Sequence, residues 1–254
     1  MRFTGHTILI TGGSAGIGLA FAAKFLELGN EVVVTGRRAS ALDAAKASYP
    51  QLHTITGDVR DPGSVTRLAA QVKERFPKLD VLMNNAGILV QRNLRVPAAS
   101  LEDLCAEVDT NVNGTLRTIS ALIDLLTANR GIIINVSSAL AFVPLPSAPI
   151  YCATKAAIHS FTTSLRFQLE GSGVRVVELM PPAVKTDLSS GIPEGQMKLI
   201  TTGELVAATI PALEAGRTEI RPGQSNQLHL LSRLAPGIIN RLLYKTSKGL
   251  IPEA

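Results

Sequence analysis

The chain has 254 residues, 46% hydrophobic and 18% charged, which fits one large domain with a substantial core and excludes a disordered chain. Its 25 basic and 20 acidic residues leave a net charge of +5 with no long basic run, and aromatics are 4% with no Trp. Stacking platforms for single-stranded nucleic acid are missing, so no nucleic-acid partner is expected.

Strand-like and helix-like segments alternate from the start. TILI (7–10) is a short β run, and IGLAFAAKFLEL (17–28) has helical periodicity that stops at Gly29. EVVVT (31–35) reads as a strand, ASALDAAKASY (39–49) as a helix halted before Pro50, and LHTIT (52–56) as a strand. GDVRD leads into a helix starting near Pro62, a residue suited to a first helical turn. LDVLMNN (79–85) is a strand, and one long helix is expected from about 101 to 129. GIIINVSS (131–138) is a strand, YCATKAAIHSFTTSLRFQLE (151–170) a helix, and GVRVVELM (173–180) a strand. A helix near 204–215 and a short strand TEIRP (218–222) follow.

These strands are continuous apolar runs, as in a parallel sheet buried on both faces. Their alternation with helices predicts a doubly wound, mostly parallel, Rossmann-like α/β fold with helices on both faces. Residues 225–254 break the alternation. Within 228–250 apolar side chains recur with Arg and Lys, and Pro236-Gly237 divides the stretch into two short amphipathic helices. Their apolar faces could cover a cleft, meet another subunit, or rest on an anionic membrane through His229, Arg233, Arg241, Lys245 and Lys248. Burial against protein is favoured over membrane contact. Cys105 and Cys152 form neither a CxxC nor a cluster with histidine, so reduced thiols of a cytoplasmic protein are expected, without a metal site. MRFTGHTILITGG does not read as a signal peptide, and no run of about 18 apolar residues predicts a membrane span.

The chemistry gathers in a few stretches. TGGSAGIG (11–18) lies between the first strand and first helix, where Gly12, Gly16 and Gly18 would let backbone approach a pyrophosphate at a helix N-terminus. A plain tight turn is the competing reading. YCATK (151–155) puts Tyr151 and Lys155 one helical turn apart on one face. An ammonium beside a phenol is expected to lower the tyrosine from about 10, so that it can exchange a proton near neutral pH. Ser138 ends the preceding strand, where a sheet presents ligands. On residue type alone Ser137 is its equal, and Asn113 competes with Asn111. Two glycosylation sequons, at Asn113 and Asn135, fall inside predicted core elements.

TGGSAGIG, NNAG (84–87), Asn111, Ser138 and YCATK, in that order, resemble the TGxxxGxG, NNAG, Asn, Ser, YxxxK pattern of the single-domain short-chain dehydrogenase/reductase family. The likeness covers roughly residues 5–222. LELGNEVVVTGRR, INVSSALAFVP and LMPPAVKTDL are closer still to the subgroup named for teichoic-acid D-alanylation operons. The resemblance implies one oxidoreductase domain over residues 1–254 that moves hydride between a nicotinamide cofactor and a ketone, aldehyde or alcohol. It gives Tyr151 the acid/base role. Lys155 tunes the tyrosine and holds ribose, Ser138 polarises the substrate oxygen and selects itself over Ser137 by register, and Asn111 holds a water relay to the lysine.

For the cofactor the resemblance points to Gly12, Ser14, Gly16, Ile17 and Gly18, to Asp58 and Val59 at the adenine, to Asn85, Ala86 and Gly87, and to Tyr151 and Lys155. Pro181, Val184 and Thr186 belong to PPAVKT (181–186), which matches the family's PGxVxT with Pro182 in place of glycine. Gly36 stands where NAD-specific relatives carry an acid. Its lack of charge removes repulsion of a ribose 2′-phosphate, and Arg37 and Arg38 can clamp that phosphate, so VVVTGRR (32–38) reads as an NADPH site. A non-catalytic NADP-binding regulator on the same fold is the rival class, and the intact Ser/Tyr/Lys set argues against it. Leu89, Phe142, Val143, Leu145, Leu188, Ile192 and Met197 are candidate walls for a small, mostly apolar carbonyl compound or alcohol. DLSSGIPEGQMKLIT (187–201) is expected to be a lid. The family's more usual ending, a strand with a glycine pair that builds tetramers, is missing. A homodimer or higher homo-oligomer with an ordered tail is expected.

Overall fold

The computed structural model describes residues 2–97, 100–190 and 198–252. Its centre is strand β1 (Thr7–Thr11), whose five side chains are all buried. A strand turns successive side chains to opposite faces, so Ile8 and Ile10 enter one helix layer and Leu9 the other. The neighbouring strand repeats the arrangement, with Val32 and Val34 on one side and Val33 on the other. This is why the strands carry unbroken apolar runs: each face must supply a core. Each large side chain withdrawn from water in this way contributes about 1.5–3 kcal/mol.

The strands β2 (Glu31–Gly36), β3 (His53–Thr56), β4 (Val81–Asn84), β5 (Ile132–Val136), β6 (Arg175–Leu179) and β7 (Glu219–Ile220) complete one sheet of order β3-β2-β1-β4-β5-β6-β7, every pair parallel. On the Ile8 side lie α1 (Gly16–Glu27), α2 (Ala39–Ser48) and α7 (Thr202–Glu214), through Phe21, Phe25, Leu42 and Leu205. On the Leu9 side lie α3 (Pro62–Arg75), α5 (Gly114–Ala128) and α6 (Pro149–Gln168), through Leu68, Leu122 and Leu165. The strand order reverses between β1 and β4, and the crevice above their carboxyl ends is where such sheets bind ligands.

Local chemistry sets the helix starts. Asp61 accepts the Gly63 and Ser64 N–H groups ahead of α3, with Pro62 in the first turn. Thr201 and Glu204 cap each other's backbone, which begins α7 at Thr202, two residues before the expected position. Each cap is worth about 1 kcal/mol.

Two expectations are corrected. The long helix of 101–129 is broken: α4 (Leu101–Val108) gives way to a wider, π-type turn at Asp109–Asn113 before α5 begins. The turn absorbs an extra residue and directs the Asn111 side chain inward, a use such bulges commonly have at functional sites. The tail helices are α8 (Gln224–Leu234) and α9 (Pro236–Ser247), so the first starts earlier than the 228 expected. They pack on each other, and α8 also lies against the turn 139–141. Among the described residues no helix is long and apolar enough to cross a membrane.

Candidate active site

A cleft of about 380 Å³ opens at the reversal point, within the size range of small-molecule sites. Its floor is the glycine turn. Gly12 has φ +64°, a left-handed conformation that disfavours a side chain, and a Cβ there would stand 2.8 Å from the Ala86 Cα. Asn85 ties the turn to β4 by donating to the Thr11 and Gly12 carbonyls at 3.0 and 3.1 Å. The first turn of α1 has no side-chain cap, so its free N–H groups face the cleft as a dipole end suited to an anion.

All the residues expected at the cofactor line this cleft except Gly18: Gly12, Ser14, Gly16, Ile17, Arg37, Arg38, Asp58, Val59, Asn85, Ala86, Gly87, Tyr151, Lys155, Pro181, Val184 and Thr186. Gly18 sits beneath the loop instead. A Cβ there would lie 2.5 Å from the Gly12 carbonyl oxygen, so its glycine serves the close packing of α1 on the turn. Pro182 does not displace its loop. Ala139 N–H donates to the Pro181 carbonyl at 3.0 Å, and Val184 pairs with Ile200 in a parallel bridge.

The residues fit a dinucleotide. The glycine turn leaves room that a Cβ would fill, and the Thr35 hydroxyl beside it is buried without a partner among the described residues. Arg37 and Arg38 are exposed at the rim after Gly36. Asp58 is chelated by Arg60 at 2.9 and 3.1 Å rather than by Arg37, which leaves the Arg37 guanidinium for another anion.

At the other end stand Ser138, Tyr151 and Lys155, all buried and all lining the cleft. Ser138 follows β5 and caps the turn 139–141, its Oγ accepting the Leu140 N–H at 3.1 Å. That bond uses an oxygen lone pair and leaves the hydroxyl proton to the side facing Tyr151, with which Ser138 is hydrogen-bonded. Ser137 is separated from it by its partner: its hydroxyl donates to Glu178, a carboxylate of β6 with no exposed surface. Tyr151 and Lys155 share a face of α6, with Nζ 5.5 Å from the centre of the tyrosine ring.

The electrostatics differ from expectation. Burial pushes the Tyr151 phenol above its ordinary value, outweighing a hydrogen bond to Ser138 that pulls it down. The lysine does not reverse this, because its Nζ is turned to the Val136 carbonyl at 2.8 Å. Burial also lowers Lys155 itself, to about 8, against the pull of Glu178. The phenol is therefore protonated at neutral pH.

Asn111 does not line the cleft. Its Oδ1 accepts the Ile88 N–H at 2.8 Å, and its Nδ2 donates to the Ile88 carbonyl and to Thr154. A Cβ on Gly87 would lie 3.3 Å from Asn111 Oδ1 and 3.7 Å from Lys155 Nζ, so the two groups flank that glycine. Asn113 is occupied elsewhere, donating to Asp109 at 2.8 Å.

Of the expected substrate walls, Leu89, Leu145 and Leu188 line the cleft, while Phe142 and Val143 do not. Val143 is core, and Phe142 is turned to two histidines. Ile192 and Met197, with residues 191–197 of the expected lid, lie outside the described residues. Leu140, Gln224 and Leu228 line the cleft without having been expected there. No local signal marks them, because an amphipathic helix does not state what it packs against. Glu178 did leave a signal: an acid inside an apolar strand must find partners.

The fold and this constellation define a nucleotide-dependent oxidoreductase, and comparison with known proteins agrees. A short chain dehydrogenase family model matches residues 6–197. The uncharacterized oxidoreductase DltE of Bacillus subtilis is 40% identical over 225 residues, covering 87% of this chain and 89% of that protein. A short chain dehydrogenase of Burkholderia cenocepacia, solved with NADP, superposes with a TM-score of 0.84 at 28% identity over 96% of this chain and 99% of its own. A Burkholderia phymatum short chain dehydrogenase/reductase solved with NAD gives 0.79 at 25% identity over 92% and 95%. The chain belongs to the short-chain dehydrogenase/reductase family and is an oxidoreductase.

Proposed function

We propose that this protein reduces a small, mostly apolar ketone or aldehyde to an alcohol with NADPH, reversibly. The observation that carries the reading is the meeting of Ser138, Tyr151 and Lys155 at one end of a cleft whose other end is a glycine turn flanked by Arg37 and Arg38. The nicotinamide, when bound, supplies the hydride in reduction and accepts it in oxidation. The glycine turn and the start of α1 hold the pyrophosphate, and the two arginines hold the 2′-phosphate. Asp58 and Val59 flank the adenine, and Val184 and Thr186 the nicotinamide amide.

Ser138 turns its hydroxyl proton from Tyr151 to the substrate oxygen and fixes that oxygen against Tyr151. Tyr151 then gives its proton to the oxygen as the alcohol forms. Its burial keeps that proton in place until transfer, as a general acid requires. The Lys155 ammonium steadies the phenolate left behind, and Asn111, behind Gly87, supports the route by which the proton is restored. Leu89, Leu140 and Leu145 exclude water from the reacting atoms. Residues 187–201 act as the lid, and protection of that segment from proteolysis by NADPH with a substrate analogue is the expected sign of it. On this reading the protein is a cytoplasmic homodimer or higher homo-oligomer.

Consumption of NADPH across a panel of ketones and aldehydes, with NADH in parallel, tests the reading. Turnover with NADPH well above that with NADH supports it. Tight NADPH binding with no carbonyl reduced would instead favour a binding regulator on the same fold.

A further inference from the structure

Phe142 lies just beyond the Ser138 turn, half-buried, and meets two aromatic rings edge-on. The His159 ring of α6 is 4.8 Å away, centre to centre, at 75°, and the His229 ring of α8 is 4.5 Å away at 69°. These are favoured geometries for a ring clamped between two others. His159 is itself fixed: its Nδ1 is 2.9 Å from a Glu178 carboxylate oxygen. The same carboxylate accepts the Ser137 hydroxyl, and Ser137 directly precedes Ser138. One connected set of side chains thus runs from α8 through Phe142, His159 and Glu178 to the backbone that carries Ser138.

The far end of this set matters because α8 supplies Gln224 and Leu228 to the cleft. Apart from α9 and the turn 139–141, little else holds that helix down. Ser225 is its one buried residue among those described, and Leu230, Leu231 and Leu234 are exposed. A helix with so few buried contacts opens easily unless a specific contact seats it.

We propose that Phe142, with His159 and His229, is a positioning residue that seats α8 as the substrate-side wall of the cleft and ties the placement of that wall to Ser138. This rests on the reading of the cleft as a carbonyl-reduction site. Gln224 then offers the wall's amide to a hydrogen-bonding group at the far end of the substrate, and Leu228 packs on its apolar middle. The Glu178 anchor keeps the His159 ring in one orientation, so the wall is built before substrate arrives.

The test is hydrogen exchange on the full-length protein, read at the amides of 224–234, together with steady-state kinetics. Phe142→Ala should speed exchange of those amides at least about tenfold and leave β1 and α1 unchanged. It should raise the KM of a reduced carbonyl substrate about tenfold, with kcat and the NADPH Kd within about twofold. Should Phe142→Ala fold poorly, His229→Ala removes the same contact from a partly exposed position and should act in the same direction. His229→Phe restores a ring and should restore both the protection and the KM. Unchanged exchange of α8 in His229→Ala overturns the proposal, as does a loss confined to kcat. If no carbonyl compound is reduced at all, the functional reading fails, and the exchange result alone upholds or overturns the seating of α8.

Discussion

The two ends of the cleft are built from different material. The proposed cofactor end rests on backbone: a glycine turn and an uncapped helix start, held by the Asn85 side chain through the Thr11 and Gly12 carbonyls. The proposed substrate end is side chain: Leu89, Leu145, Leu188, and Gln224 with Leu228 of α8, drawn from four separate stretches of sequence. Backbone geometry leaves no slack, whereas a wall of side chains can be recut without disturbing the sheet. One fold can therefore hold its cofactor site constant while its substrate site changes.

Substitutions at and around the border sharpen that contrast. The largest effect is expected at Tyr151, where the ends meet. Tyr151→Phe keeps the ring and its packing and removes the transferable proton, so turnover should fall about 10²–10⁴-fold while NADPH still binds, as fluorescence titration would show. A variant keeping a tenth of parent activity would place the acid elsewhere. At the cofactor end, Arg37→Ala should weaken NADPH about 10- to 150-fold, the loss of one charge-assisted contact, and leave NADH nearly unchanged. Gly36→Asp should invert the preference. A Cβ at 36 would meet the Ser14 hydroxyl at 3.2 Å, a group that can rotate away, so the fold should accept it.

Gly18→Ala measures the stiffness of the backbone end directly. Its methyl would press on the Gly12 carbonyl at 2.5 Å and on Asn85 Nδ2 at 2.6 Å. Overpacking of this kind costs about 1–3 kcal/mol, and each kcal/mol lowers Tm by about 2–4 °C in a chain of this size. An unchanged Tm and NADPH affinity would mean that this end yields after all.

The smallest effect is a pH slope at the substrate end. Glu178 raises His159 above its ordinary value, with burial opposing, Glu219 adding to the rise, and Arg221 working against it. The neighbouring His229 is lowered by burial and by Arg221. A histidine raised by folding contributes stability in full below about pH 6.5 and loses it as pH rises through the folded value. His159→Gln should flatten Tm against pH from about 6.5 upward. A slope identical to the parent's would remove His159 as its source.

What was legible follows the same division. The parallel sheet covered on both faces could be anticipated because unbroken apolar runs such as TILIT and EVVVT must bury two faces, and the glycine turn because φ above zero favours glycine. Ser138 against Ser137 was not decidable from residue type. Their partners tell them apart, and the partner of Ser137 is Glu178, in another strand. The lowered phenol was misjudged because spacing along α6 shows Lys155 near Tyr151 but not its commitment to the Val136 carbonyl, nor the burial of both. The interruption at Asp109–Asn113 carries no breaker residue, since the reason for it, the reach of Asn111 to Ile88, is tertiary.

Val184 and Ile200 form a clasp. Lys185 N–H donates to the Ile200 carbonyl at 2.8 Å, and Ile200 N–H to the Ala183 carbonyl at 3.0 Å. The ends of segment 185–199 are thus joined whatever its length. Closing a loop grows costlier only slowly, by about 0.6 kcal/mol for each doubling. Insertions and deletions between the two ends should therefore be tolerated by the fold, and the proposed lid can change by length as well as by substitution. In a library built on this scaffold, varying the number of residues in that segment is the first axis to explore.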